Sequence, residues 1–336
     1  MAHQTVTSSW AIADRLSETE EKFWNDFIQR HGSVFHLTPY AKACASIGYK
    51  ARFASFGEEA RTIAFTKKVG PSTLGLNWVV FFAEPAFADT CPLQDRPKIT
   101  HELLAAFSAK HPAYISTIGS MARFMSGESL PSGVKQTPFG TYEIDLTPTE
   151  DILWATVHSK HRNAIRAAEK LGVSVSEESD WETFYQLLGD TLKRAGEAYP
   201  PSAYLLPASE GLKRACACTL WVAKHEGRWQ AAALILYTAK RAYYWFGATE
   251  SKAVTGSGNL LHWTLMKALK SQGIKTYDLG GARPGLNPES KLYGIQRFKE
   301  RFGGIYRDYP QWRLDCSPVR SAILRSLVTV KRITLG

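Results

Sequence analysis

The stretch Lys291-Leu292-Tyr293-Gly294-Ile295-Gln296-Arg297-Phe298-Lys299-Glu300-Arg301-Phe302-Gly303-Gly304 holds the densest set of groups able to do chemistry. Its Lys291, Arg297, Lys299 and Arg301 are cations able to bind an anion or to stabilise negative charge that develops on an oxygen. Ahead of it stands Tyr277-Asp278-Leu279-Gly280-Gly281, an apolar strand pattern ending in an acid and two glycines. Asp278 is suited either to take a proton from an attacking amine or to cap the turn that follows. Arg162, Arg166 and Lys170 recur at i, i+4 and i+8, which sets three cations on one helix face, either as a comb for phosphate or as a solvated stripe. Gly256-Ser257-Gly258-Asn259 lies between a strand pattern and a helix pattern, where backbone amides and the positive helix end favour a phosphate or oxyanion; the plain alternative is a loop with Asn259 as N-cap. Tyr243, Tyr244, Trp245 and Tyr293 offer ring faces for a base or sugar, or for a core. No G-x-S-x-G elbow occurs and the five cysteines stand at scattered positions, so neither an acyl-enzyme nor a metal site is called for.

These groups need a scaffold, and length with composition bound it. The chain has 336 residues, 44% hydrophobic and 21% charged, which suits two globular domains and excludes a disordered or collagenous chain. Its 41 Lys and Arg against 31 Asp and Glu leave a charge of +10 that draws anions: phosphates, RNA or an acidic bilayer. Neither a signal peptide nor a run of about 18 apolar residues is present, so a cytoplasmic protein is expected.

Ser17-Glu18-Thr19-Glu20 is a capping box opening a helix that runs to Gly32. Strand patterns at 49–56, 60–66 and 76–82 follow, then a helix over 100–110 and a strand at 114–118. A Gly/Ser/Pro-rich link spans Ser126 to Pro138. In the second half a capping box at Thr147-Pro148-Thr149-Glu150, a helix over 159–171 and one capped by Asp180 precede strands at 219–225, 228–238 and 241–248. A helix over 260–271 and a strand at 276–279 complete the order. Three strands, a helix and a strand therefore occur twice, at 49–118 and 219–281, which reads as an internal duplication. The tail 317–336 combines Arg320, Arg325, Lys331 and Arg332 with Ile323, Leu324, Leu327, Val328 and Ile333, a basic amphipathic helix able to rest on anionic lipid or on its own domain.

Taken together, D-x-G-G at 278–281, R-F-K-x-x-F-G-G at 297–304 and Arg162-Asn163-Ala164-Ile165-Arg166-Ala167-Ala168-Glu169-Lys170-Leu171-Gly172-Val173 resemble the FemABX peptidyltransferases and their acyltransferase relatives. The resemblance covers about residues 145–310, and the first half in element order only. It implies an α/β (α+β) fold of two tandem GNAT-like domains with mixed sheets flanked by helices: a degenerate one at 1–140 and a catalytic one at 141–316, with the basic tail at 317–336. It also implies a transferase that forms an amide on an amine of a peptidoglycan-type precursor, with aminoacyl-tRNA as donor, a UDP- or lipid-linked muropeptide or saccharide as acceptor, and no cofactor. By the same resemblance Lys299, with the Phe298 backbone beside it, would stabilise the transition state. Asp278 would close the strand next to the reacting centre, and Arg162 and Arg166 would lie near the acceptor's phosphates. Tyr244, Tyr293, Lys291 and Arg301 are the further substrate contacts expected. The family's long helical arm is missing here, which leaves its tRNA contacts open. Two other readings stand beside this one: an N-acyltransferase that takes acyl-CoA at the Gly256–Asn259 turn, and an inactive relative that binds RNA or a phosphorylated envelope lipid.

Overall fold

A computed structural model describes residues 9–118 and 131–334; the expected link Ser126–Pro138 lies partly outside these. The chain divides into two compact units, 1–137 with 309–336, and 138–308.

In the first unit β1 (Trp10–Ala13) and α1 (Glu18–His31) are followed by α2 (Thr38–Ser46), β2 (Lys50–Phe56), β3 (Ala60–Lys68), β4 (Asn77–Phe81) and β5 (Ala86–Phe87). Then come α3 (Arg96–Ser108), β6 (Tyr114–Thr117) and β7 (Lys135–Thr137). Ser17 and Glu20 form the expected reciprocal cap of α1, because each satisfies an amide that the first helical turn leaves without a partner. β2, β3 and β4 pair antiparallel, whereas β4 and β6 pair parallel, so α3 makes the crossover. Strand alternation splits the residues by face: Ala64, Val79 and Phe81 pack on Leu103 and Phe107 of α3, while Phe65 meets Tyr40 of α2 edge to face.

The second unit contains β8 (Gly140–Asp145), α4 (Glu150–Thr156), α5 (Ser159–Lys170), β9 (Ser174–Glu178), α6 (Trp181–Ala195) and α7 (Ser202–Arg214). β10 (Cys218–His225), β11 (Arg228–Tyr237), β12 (Arg241–Thr249), α8 (Ser257–Ser271), β13 (Thr276–Ala282), α9 (Lys291–Glu300) and β14 (Ile305–Asp308) follow. Its sheet runs β14-β8-β13-β12-β11-β10-β9. β10, β11 and β12 form a meander, α8 crosses over, and β13 lies parallel to β12, which repeats the β2-β3-β4-α3-β6 arrangement and establishes the duplicated order. The core between sheet and helices joins Ile235, Leu265, Met266, Tyr277 and Phe302 with Ile165 of α5.

Three expectations need correction. Thr149, not Thr147, caps α4, since only a side chain directly ahead of the first turn reaches the Ile152 amide. The helix α7 carries Pro207 in its interior and gave no periodic signal strong enough to be read. Residues 309–316, expected in the second domain, return to the first unit: Gln311–Asp315 is a strand paired with both β6 and β7. Trp312, 2% exposed, is part of that unit's core, so its indole and two open strand edges decide the pairing rather than position in the chain. The helix Pro318–Thr334 then buries Ser321 and Leu324 and leaves Val319, Ile323 and Leu327 exposed. No helix among the described residues is long and apolar enough to cross a membrane.

His36 is wholly buried, with Nε2 donating to the Glu84 carbonyl at 2.7 Å and Nδ1 accepting from the Ile63 amide at 3.1 Å. Both ring nitrogens are committed to the neutral form, and burial pushes the pKa down to about 4. An unfolded histidine protonates near 6.5, so the stability that His36 confers is complete above that pH and is lost as pH falls from 6.5 towards 4. Denaturant unfolding should show the native protein losing about 2–3 kcal/mol more than His36→Gln between pH 7 and pH 4.5.

Candidate active site

The site is built where β12 and β13 stop pairing. Their parallel ladder ends at Tyr243 opposite Asp278; beyond it β12 continues along β11 and β13 along β8. Both strands are bulged at this point. Trp245 is an extra residue between Tyr244, paired with Ile235, and Phe246, paired with Leu234. Leu279 and Gly280 together stand between the Asp278–Glu143 and Gly281–Thr141 pairs, where β8 has only Tyr142. Gly280 takes φ +76°, a left-handed conformation that glycine adopts without a side-chain penalty.

Lys299 fills the opening. The residue is 8% exposed, and its ammonium donates to the carbonyls of Gly280 at 3.0 Å and Gly281 at 2.8 Å. These carbonyls belong to the part of β13 that has left β12, so the lysine replaces strand pairing as their partner. Burial pushes its pKa down to about 8, and the Asp278 charge opposes that shift. An ammonium has three N–H groups; two are used here and one remains for a ligand.

Asp278 is fully buried. Its Oδ1 accepts from the Gly280 amide at 2.8 Å and from the Thr141 hydroxyl, and its Oδ2 lies 3.8 Å from Arg241, which also donates to Glu143 at 2.9 Å. The carboxylate thus braces the bulge from beneath. Of its two expected uses, the turn-capping one describes this geometry.

Beneath the lysine lies an aromatic and imidazole cluster. His262 of α8 has its Nδ1 3.0 Å from the Tyr277 hydroxyl, and its ring packs on Tyr244, Phe298 and Phe302 at centroid distances of 4.7, 5.5 and 5.4 Å. Burial lowers its pKa to about 3, with the charges of His161 and Lys299 adding to the effect, so it stays neutral. His161 of α5 donates from Nε2 to the Phe298 carbonyl at 3.1 Å and is likewise held below its ordinary value by burial. Burial also pushes Tyr244 up to about 12. The Phe298 carbonyl is therefore already used inside the fold.

The remaining expected residues are placed as follows. Arg162 donates to the carbonyls of Ala155 at 3.3 Å and Val157, so it caps the C-terminus of α4. Arg166 lies over the Trp154 ring at 5.4 Å. The comb is thus drawn onto α4 rather than spread freely. Tyr293 is half-buried on α9, its amide bonded to the Ser290 cap, and Lys291 donates to the Arg194 carbonyl at 3.3 Å. Arg301 ends α9; its carbonyl accepts from the His158 amide at 2.8 Å, and its buried Nε makes no hydrogen bond. In the turn ahead of α8, Gly256 rather than Asn259 is the N-cap, at φ +87°, and Ser257 is buried with its hydroxyl on the Val254 carbonyl. Space is open above Gly258.

Sequence reading missed Thr141, Arg241, Glu143 and His262. His262 stands next to Leu260 and Leu261 in the helix pattern, a local signal that carries no information about its neighbourhood to Lys299.

Gly256→Ala should be strongly destabilising, by about 2 kcal/mol or more, since a Cβ there would stand 2.1 Å from the Ala164 carbonyl in a left-handed backbone. Gly258→Ala, with open space, should melt like the native protein in the same thermal scan.

Residues 156–300 match the acetyltransferase (GNAT) domain. Over 142 residues the chain is 25% identical to the lipid II:glycine glycyltransferase of Staphylococcus aureus, a match that covers 42% of this chain and 34% of that protein. The chain thus spans about a third of the length of the curated relatives it matches. The crystal structure of FemX superposes with a TM-score of 0.75 at 16% identity, covering 94% of this chain and 100% of that one. The C-terminal domain of a putative lysylphosphatidylglycerol synthetase from Agrobacterium fabrum gives 0.61 at 16% identity, with coverages of 94% and 97%. The domain match over residues 156–300 and the duplicated strand order agree: the chain has the GNAT fold, and its motifs at 278–281 and 297–304 lie in or beside the region similar to the lipid II:glycine glycyltransferases.

Proposed function

We propose that this chain is a transferase that forms an amide on an amine of a peptidoglycan-type cell-envelope precursor, drawing the acyl group from aminoacyl-tRNA. The observation that carries this reading is the buried Lys299 ammonium, held by two carbonyls at the parting of β12 and β13 with one donor left over. The name of the staphylococcal relative, a lipid II:glycine glycyltransferase, supports the class of acceptor.

In the proposed step the amine nitrogen of the acceptor attacks the ester carbonyl of the donor. A C–N bond forms, the carbonyl oxygen gains negative charge, and the remaining N–H of Lys299 stabilises that oxyanion. The C–O bond then breaks and the amine's proton goes to the leaving hydroxyl. Asp278 acts at one remove, keeping Gly280 in the conformation that offers its carbonyl to Lys299. Tyr293, Lys291, Arg301, Arg162 and Arg166 stand in this reading as substrate contacts. The acceptor is a UDP- or lipid-linked muropeptide or saccharide. For a lipid-linked one, the exposed stripe Val319, Ile323 and Leu327 suits peripheral contact with an anionic bilayer.

A second reading, with acyl-CoA as donor, is favoured by the Gly256 cap and the open space above Gly258 at the start of α8. The two separate on donor. Formation of an aminoacylated UDP-muropeptide from charged tRNA, read by mass spectrometry, is expected from the first; product from acyl-CoA alone replaces it with the second.

In either case Lys299→Ala should lower kcat by about 10²–10³-fold with the fold retained by circular dichroism. The catalytic form of Lys299 is the cation, present below its pKa of about 8, so kcat should fall as pH rises through about 8. A pH–rate profile flat from 7 to about 9.5 would remove Lys299 from the oxyanion role.

A further inference from the structure

We propose that the first unit holds a binding site for a small carboxylic acid with an aromatic body, in a cavity of about 770 Å³ between α1 and the β1 edge of the sheet. Strand register makes the space. On the face of β1, β2 and β3 that α1 covers, Ala11 stands opposite Ser55 and Ser55 opposite Arg61, while Ala13 and Ile63 flank Phe53 in the next row. Small side chains at 11, 13 and 55 keep the sheet from filling the gap beneath the helix. Across the gap α1 presents Glu20, Phe23, Trp24, Phe27 and His31, positions that recur at three and four residues and so share one helix face. Phe23 lines this cavity and yet is 63% exposed, which leaves a large ring against water that a ligand ring would displace. Trp24, Phe27 and Phe53 complete the aromatic walls, with Trp24 and Phe53 meeting edge to face at 5.3 Å.

The polar anchor is Arg61. Its guanidinium lies over the Phe27 ring at 4.5 Å and donates one N–H to the Phe23 carbonyl at 2.8 Å. A guanidinium has five N–H groups, so four are left, and no carboxylate among the described residues forms an ion pair with it. Burial lowers its pKa, with the charge of Glu58 opposing that shift at longer range and that of Arg30 adding to it. The Ser55 hydroxyl, next to Arg61 across the strand pair, makes no hydrogen bond among the described residues. Other polar groups of the lining are engaged: Glu20 in the α1 cap, Arg30 on the Asp26 carbonyl at 3.1 Å, and His31 Nδ1 3.6 Å from Asp89. The acids of the lining, Glu20 and Glu58, balance Arg30 and Arg61, so the cavity offers directed donors rather than surplus charge. Directed donors favour the single charge of a carboxylate over a phosphate dianion: its two oxygens match the guanidinium fork, and the Ser55 hydroxyl adds a further hydrogen bond. The volume lies in the range of small-molecule sites.

The test is isothermal titration of the full chain with naphthylacetate, the isosteric naphthylacetamide and acetate. The expected result is saturable binding of naphthylacetate, about tenfold or more tighter than the amide, with no saturable binding of acetate below about 10 mM. Phe23→Ala, at an exposed position, should weaken the acid about fivefold or more, and Arg61→Gln about tenfold or more while leaving the amide within about twofold. Should Arg61→Gln fail to fold by circular dichroism, Ser55→Val, a change that a strand accepts and that fills the floor, serves, with a loss of about fivefold or more. Lys299→Ala should bind naphthylacetate as the native chain does, which separates this site from the transferase centre. Absence of saturable binding below about 10 mM, equal affinity for the acid and the amide, acetate binding as tightly as naphthylacetate, indifference to the variants, or weakening by Lys299→Ala would each overturn the proposal.

Discussion

Two parallel strands that separate inside a protein leave carbonyls and amides without partners, and buried polar groups of that kind must be satisfied. In the second unit the carbonyls of Gly280 and Gly281 meet this constraint through Lys299, the Gly280 amide through Asp278, and the aspartate through Thr141 and Arg241. Each member fixes the next. The glycines at 280 and 281, the acid two residues ahead and the lysine one helix later are one hydrogen-bonded unit, which explains why their residue types go together.

The same arrangement sets the electrostatics. Burial favours the neutral amine of Lys299, the nearby carboxylate favours the ammonium, and the balance leaves it titrating near pH 8 rather than near 10.5. The neutral His262 and His161 below it add no competing charge at physiological pH and supply shape through ring contacts with Phe298 and Phe302. A cation so placed is desolvated before any substrate arrives, which strengthens its attraction for a developing oxyanion.

The two units use one strand order for different ends. In the second, the parallel pair opens and holds the lysine. In the first, β4 and β6 pair from Trp78 with Tyr114 through Phe81 with Thr117, and the cavity lies over β1, β2 and β3, at the β1 edge of the sheet.

Much of this was legible in the sequence because the signals are local. The capping box at Ser17, the alternating strands of the meanders and the D-x-G-G and R-F-K-x-x-F-G-G segments depend on residues a few positions apart, as backbone hydrogen bonding and side-chain periodicity do. Lys299 and Asp278 could be singled out on type and context. Which carbonyls Lys299 would hold, the burial that lowers its pKa, the diversion of Arg162 to the end of α4, and the return of Trp312 to the first sheet could not. Those depend on groups 5 to about 200 residues apart meeting in three dimensions, and pairing partners, desolvation and dielectric are properties of the packed interior.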